Sequence, residues 1–130
     1  MRINLGATEM EKLVLIIDDD GRNIFALRLA LKSRGYAAIA ASSVKEGLSL
    51  IKGDGNIRVV LMDMMMPEID GYEAIRLLKA DSDYADLPVI AVTAQAMAGD
   101  REKCIKAGAR DYIAKPVDID KLVAIIEEVC

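Results

Sequence analysis

The feature that most constrains this chain is the run Val59-Val60-Leu61-Met62, which passes without a polar break into Asp63 and is followed by Pro67. A continuous apolar run with β-branched residues at its start predicts a strand buried on both faces. An ionised carboxylate is costly inside such a run, but not where the strand leaves the sheet and a crevice opens to water. A second run, Leu13-Val14-Leu15-Ile16-Ile17, also ends in acid, at Asp18-Asp19-Asp20. In open parallel α/β sheets, ligands and chemistry gather outside the carboxyl ends of the strands. Taken alone, Asp63 could equally cap a loop, and Asp18 or Asp19 could cap a helix.

The remaining punctuation fits the same plan. Residues 1–11 read as a lead-in, and 12–130 as one domain. Gly21 and Asn23 break the first strand. Ile24, Leu27 and Leu31 then recur at helical spacing, and Gly35 stops that helix. Tyr36–Ala41 is a short strand of small residues. Ser43 with Glu46 has the form of a capping box, opening a helix that ends at Gly53-Asp54-Gly55. Asp70 with Glu73 repeats the pattern before a helix over Tyr72–Lys79. After a loop over Asp81–Leu87, a strand runs Pro88–Val92 and ends at Thr93. Met97–Lys106 reads as a helix stopped by Gly108. Arg110–Ala114 is the most polar strand and ends at Lys115-Pro116. Asp118 caps a last helix with Ile119, Leu122, Val123, Ile126 and Val129 on one stripe, and Ile125 off it.

Strands alternating with helices predict a parallel sheet covered on both faces, wound by right-handed crossovers. Composition then narrows the function. The chain has 130 residues, 53% of them hydrophobic, enough for a substantial core. Its 17 basic and 21 acidic residues give a net charge of −4, which argues against general nucleic-acid binding. There is no apolar run of membrane-spanning length and no signal-peptide pattern, so a soluble, cytoplasmic protein away from membranes is expected. Cys104 and Cys130 lack metal-ligand spacing. With no histidine in the chain, histidine-based catalysis and a histidine phosphocarrier role are excluded.

Four strand ends carry reactive side chains: Asp18 and Asp19, Asp63, Thr93 and Lys115. A parallel sheet brings all of them to one edge. Carboxylates roughly 5 Å apart repel by about 3 kcal/mol per pair at an effective dielectric near 20, so something must compensate. A hard divalent cation fits, and Mg²⁺ (with Mn²⁺ as a substitute) suits a few carboxylates plus water and phosphate. Lys115 supplies a point charge for a phosphate oxygen, and Thr93 a hydroxyl donor. A carboxylate nucleophile, a metal, a cation and a hydroxyl are what phosphoryl transfer needs, because its catalysis is positioning and charge neutralisation. The methionines of Met62–Met66 read as packing rather than as thioether ligands.

The segments Leu15–Asp19, Leu61-Met62-Asp63-Met64-Met65-Met66-Pro67-Glu68-Ile69-Asp70-Gly71, Val92-Thr93-Ala94 and Tyr112–Pro116 together resemble the receiver domains of two-component response regulators. The resemblance spans nearly the whole chain. Asp70-Gly71-Tyr72-Glu73 and Gly99–Cys104 most resemble receivers attached to hybrid histidine kinases. The resemblance implies a flavodoxin-like, doubly wound (βα)5 three-layer sandwich with strand order 2-1-3-4-5. It implies that Asp63 takes a phosphoryl group from a phosphohistidine of a histidine kinase or histidine phosphotransfer protein. Asp19, Asp63 and the Met65 carbonyl would then hold Mg²⁺ directly, and Asp18 through water. Lys115 would pair with the acids and then with the phosphoryl group, Thr93 and Tyr112 would form the switch pair, and Lys115-Pro116 would be cis. Met65 and Gln95 would flank the path of hydrolytic water. Such a domain is not a conventional enzyme: it catalyses only its own phosphorylation and dephosphorylation. It signals to a downstream protein or an attached module, as a monomer or weak dimer.

Other readings fit less well. A haloacid-dehalogenase-type phosphatase places its nucleophile in Asp-x-Asp-x-Thr/Val after the first strand, but Arg22 stands fourth after Asp18. A flavin carrier would not have an acidic first loop. An unphosphorylated binding module of the same fold would have no reason to keep all five reactive positions.

Overall fold

The computed structural model describes residues 13–53, 55–67, 70–94 and 99–129. The lead-in, Asp54, Glu68, Ile69, Gln95, Met97 and Cys130 therefore lie outside the described residues. Five strands, β1 (Leu13–Ile17), β2 (Ala37–Ala41), β3 (Ile57–Asp63), β4 (Val89–Thr93) and β5 (Asp111–Ala114), alternate with five helices. The helices are α1 (Gly21–Ser33), α2 (Val44–Gly53), α3 (Gly71–Ala80), α4 (Asp100–Ala107) and α5 (Ile119–Val129). All strand pairs are parallel, in the order β2-β1-β3-β4-β5. Among the described residues, no helix is long and apolar enough to cross a membrane.

Pleating sends alternate residues of each strand to opposite faces. Leu15, Ile17, Val60, Met62, Val89 and Ala91 pack with α2, α3 and α4 through Ile51, Ile75, Leu78 and Cys104. Val14, Ile16, Val59, Leu61, Ile90, Val92 and Ile113 pack with α1 and α5 through Leu27, Leu31, Leu122 and Ile126. Two cores on one sheet explain why β1 and β3 read as unbroken apolar runs: neither face meets water.

The boundaries depart from the sequence expectations in instructive places. β3 starts two residues before the apolar run and includes Asp63 itself. Its register against β1 shifts so that Leu13 faces Ile57 while Val14 faces Val59, and Arg58 is left exposed between them. Gly21 and Asn23 do not merely end a strand; both are helical. The cap is Asp20, whose carboxylate accepts from the Arg22 N–H at 3.0 Å, and not Asp18 or Asp19. The Ser43 hydroxyl accepts from the Glu46 N–H at 3.1 Å, but Glu46 reaches back to the Ser42 N–H at 2.7 Å, one residue further than a capping box requires. Asp70 caps α3 through the Tyr72 N–H, whereas Glu73 pairs with Arg76. Pro88 precedes β4, its carbonyl accepting from the Val60 N–H at 3.0 Å. α4 begins at Asp100, just after Gly99, whose φ of 91° lies in the left-handed region. Ile125 packs half-buried against the α1/α5 core instead of lying off the stripe.

Candidate phosphoryl-transfer site

Among the described residues, the only buried polar or charged ones are Asp18, Asp63 and Thr93, each 5% exposed or less. All three lie at the carboxyl ends of strands. Ile17 is level with Met62, Asp63 with Val92 and Thr93 with Ala114, so the sheet register brings these ends into one line. The chain leaves each strand under backbone restraint: Asp18 N–H donates to Ala41 O at 3.1 Å, Met64 N–H to Val92 O at 2.9 Å, and Lys115 N–H to Thr93 O at 2.8 Å.

One carboxylate oxygen from each of Asp18, Asp19 and Asp63 lies within 4.8 Å of the others. Asp18 and Asp63 are buried and Asp19 is exposed, so the cluster has a closed floor and an open mouth. Lys115 bridges the two buried acids, with Nζ 3.6 Å from Asp18 Oδ2 and 3.5 Å from Asp63 Oδ1. Asp63 Oδ1 also accepts from the Met65 N–H at 2.9 Å. Burial raises the Asp63 carboxyl above its ordinary value; the Met65 N–H opposes this, the Asp18 charge adds to it, and Lys115 opposes it. One cation among three acids leaves negative charge uncompensated. Hard oxygen donors at this spacing fit a divalent cation such as Mg²⁺.

Asn23, in the first turn of α1, does not simply break the first strand. Instead its side-chain amide donates to Asp18 Oδ2, while Asp18 Oδ1 accepts from the Asp20 N–H at 2.8 Å. A carboxamide in the first helical turn after an acidic run was the available signal, since that turn lies over the strand end. Ala26 and Ala30 line a cavity of about 680 Å³ with Ala94, Lys115, Pro116 and Val117, beside the acids. The Lys115-Pro116 peptide is cis. Thr93 is two residues from Ala91, and Tyr112 is level with Ala91. Tyr112 packs on the α3/α4 side, as Ala91 does, so pleating puts Thr93 and Tyr112 on the same face. The Met65 side chain is exposed.

Comparison with known proteins agrees with this geometry. Residues 14–127 match the family model of the response regulator receiver domain. The polar-differentiation response regulator DivK of Brucella ovis is 36% identical over 118 residues, covering 91% of this chain and 95% of DivK. The crystal structure of a response regulator receiver protein from Pseudomonas putida is 31% identical, with a TM-score of 0.82, covering 90% of this chain and 96% of that one. The receiver domain of a signal transduction histidine kinase from Syntrophus aciditrophicus is 26% identical, with a TM-score of 0.80 over 91% of this chain and 89% of that one. The chain belongs to the response regulator receiver domains, whose general function in two-component signalling is to take a phosphoryl group onto an aspartate.

Proposed function

We propose that Asp63 is the phosphoacceptor and that the donor is a phosphohistidine on a histidine kinase or histidine phosphotransfer protein. An Asp63 oxygen forms the new P–O bond as the P–N bond to the donor imidazole breaks, and the electron pair stays with the imidazole. Asp18, Asp19, Asp63 and the Met65 carbonyl would hold Mg²⁺, which when bound neutralises charge on the carboxylates and the phosphoryl oxygens. Both oxygens of Asp18 are already engaged, by Asp20, Asn23 and Lys115, which favours a role for Asp18 through water. Lys115 orients Asp63 before transfer and pairs with a phosphoryl oxygen afterwards. Thr93 offers its hydroxyl to another, and Tyr112 follows on the same face, so that α4, β5 and α5 present the altered surface.

The observation carrying this reading is the burial, at adjacent parallel strand ends, of two carboxylates bridged by one lysine and of one hydroxyl. Acetyl phosphate with Mg²⁺ should add one phosphoryl group per chain by intact mass, and Asp63→Asn should add none. Full, stable labelling of the asparagine variant would place the acceptor elsewhere.

A further inference from the structure

We infer that Asn23 is a positioning residue of the phosphoryl-transfer site. Its neutral carboxamide holds Asp18, so that Lys115 is not drawn into a direct bond with that acid and stays free for the phosphoryl group. The inference rests on the reading of Asp63 as the acceptor.

Asp18 follows β1 directly and is 2% exposed, so its carboxylate needs hydrogen-bond partners from the protein. Oδ1 accepts from the Asp20 N–H at 2.8 Å, and Oδ2 accepts from the Asn23 side-chain amide. The loop sets the reach of that amide. Asp20 caps α1 through the Arg22 N–H, and its carbonyl accepts from the Ile24 N–H at 3.1 Å. The first helical turn is thus tied to the residues after Asp18, and a side chain as short as asparagine spans the gap. It supplies a donor without adding charge to the cluster.

Lys115 stands further off. Its Nζ is 3.6 Å from Asp18 Oδ2 and 3.5 Å from Asp63 Oδ1. A charge-assisted bond between an ammonium and a carboxylate is about 2.8 Å long. Both acids therefore attract the ammonium, and it has closed on neither. Each of these two oxygens already accepts from a neutral N–H: Asp18 Oδ2 from the Asn23 amide, and Asp63 Oδ1 from the Met65 backbone at 2.9 Å. The Met65 donor belongs to the main chain, whereas the Asn23 donor depends on the side chain at that position. Asn23 and Lys115 also line the same cavity of about 680 Å³, which gives the ammonium room to move. An ammonium locked onto Asp18 would have to break that bond before it could reach a phosphoryl oxygen.

Asn23→Ala removes the donor and suits a helix interior, so α1 should keep its form. In its crystal structure without metal or phosphoryl mimic, Lys115 Nζ should close from 3.6 Å to about 2.8 Å from Asp18 Oδ2. Beryllofluoride, a phosphoryl mimic, should bind it about 3- to 10-fold more weakly at saturating Mg²⁺, the factor for one competing hydrogen bond. Calorimetric titration measures this. Asp18→Asn leaves no charge to draw Lys115 away. In that background Asn23→Ala should change beryllofluoride affinity by less than about twofold, because Asn23 acts through Asp18. A residue that only packs would lower the melting temperature and leave both Lys115 and the affinity where they were. Beryllofluoride affinity within about twofold of wild type in Asn23→Ala, or an equal loss in both backgrounds, would overturn the role of Asn23. So would a Lys115 that stays at its present distance from Asp18. If the wild-type chain binds no beryllofluoride, the reading of Asp63 fails; the position of Lys115 in Asn23→Ala still decides the role of Asn23.

Discussion

Asp63 carries the main electrostatic tension of the molecule. Its carboxyl is raised, first by burial, so the folded chain holds that proton more tightly than the unfolded chain does. The sign follows from linkage: Asp63 is least costly to the fold below its unfolded value of 3.8, and that advantage is lost as pH rises through the higher folded value. In EDTA at pH 7, Asp63→Asn should therefore melt a few degrees above wild type, and the gap should close as the pH falls toward 4. A variant no more stable than wild type at pH 7 would contradict the cost assigned to this carboxylate. The acids around it are not equivalent. Asp19 is exposed at the mouth of the cluster, whereas Asp18 already has partners on both oxygens. Asp19→Ala should weaken Mg²⁺ binding by at least about tenfold, or roughly 1.4 kcal/mol, and Asp18→Ala should weaken it less. Calorimetry with MgCl₂ measures both, and the reverse order would undo the assignment of direct and water-mediated roles.

At the scale of elements, much of the fold was legible because its causes are local. β1 and β3 read as strands because both faces of each are covered, and α5 read as a helix because Asp118 caps it through the N–H of Asp120 at 3.0 Å. What stayed hidden depends on contacts far apart in sequence. The register shift that ejects Arg58 is set by β1, and the inward turn of Asn23 is set by where Asp18 ends up. The contact of the Lys103 ammonium with the Tyr72 ring, 4.8 Å from its centroid, joins side chains on separate helices that no spacing rule connects. The outer side of α1 is open beside the acids: Ala26 is exposed and lines the cavity next to Lys115 and Pro116. Ala26→Trp should slow transfer from a phosphorylated kinase by about tenfold or more, the factor that about 1.4 kcal/mol of lost approach energy gives, and leave acetyl phosphate labelling intact. Parallel time courses with the two donors make the test; equal slowing would mean that the tryptophan disturbs the site and not the docking.

Across the whole molecule, the sheet is a rigid frame that sets the register of the strand ends, and the charge chemistry occurs where the frame stops. The frame tolerates little. Gly47 of α2 lies so close to β1 that an added Cβ would stand 2.5 Å from Ile17 Cδ1, and Ile17 is wholly buried. Gly47→Ala should cost about 1–3 kcal/mol in chemical denaturation, as overpacking of a dense core does. Ile17 immediately precedes Asp18, so that strain would reach the site. On the far edge, Arg101 of α4 lies 3.7 Å from Asp111 of β5, a half-exposed pair on the surface that should change when Asp63 is modified. The central claim is that the phosphoryl group lands on Asp63 and on neither acid that follows the first strand. Borohydride reduces an acyl phosphate to homoserine, leaving a permanent mark at the acceptor. After acetyl phosphate and Mg²⁺, peptide mass mapping should find that mark at position 63 alone. A mark at Asp18 or Asp19 would instead fit a phosphatase-like nucleophile after the first strand and contradict the account.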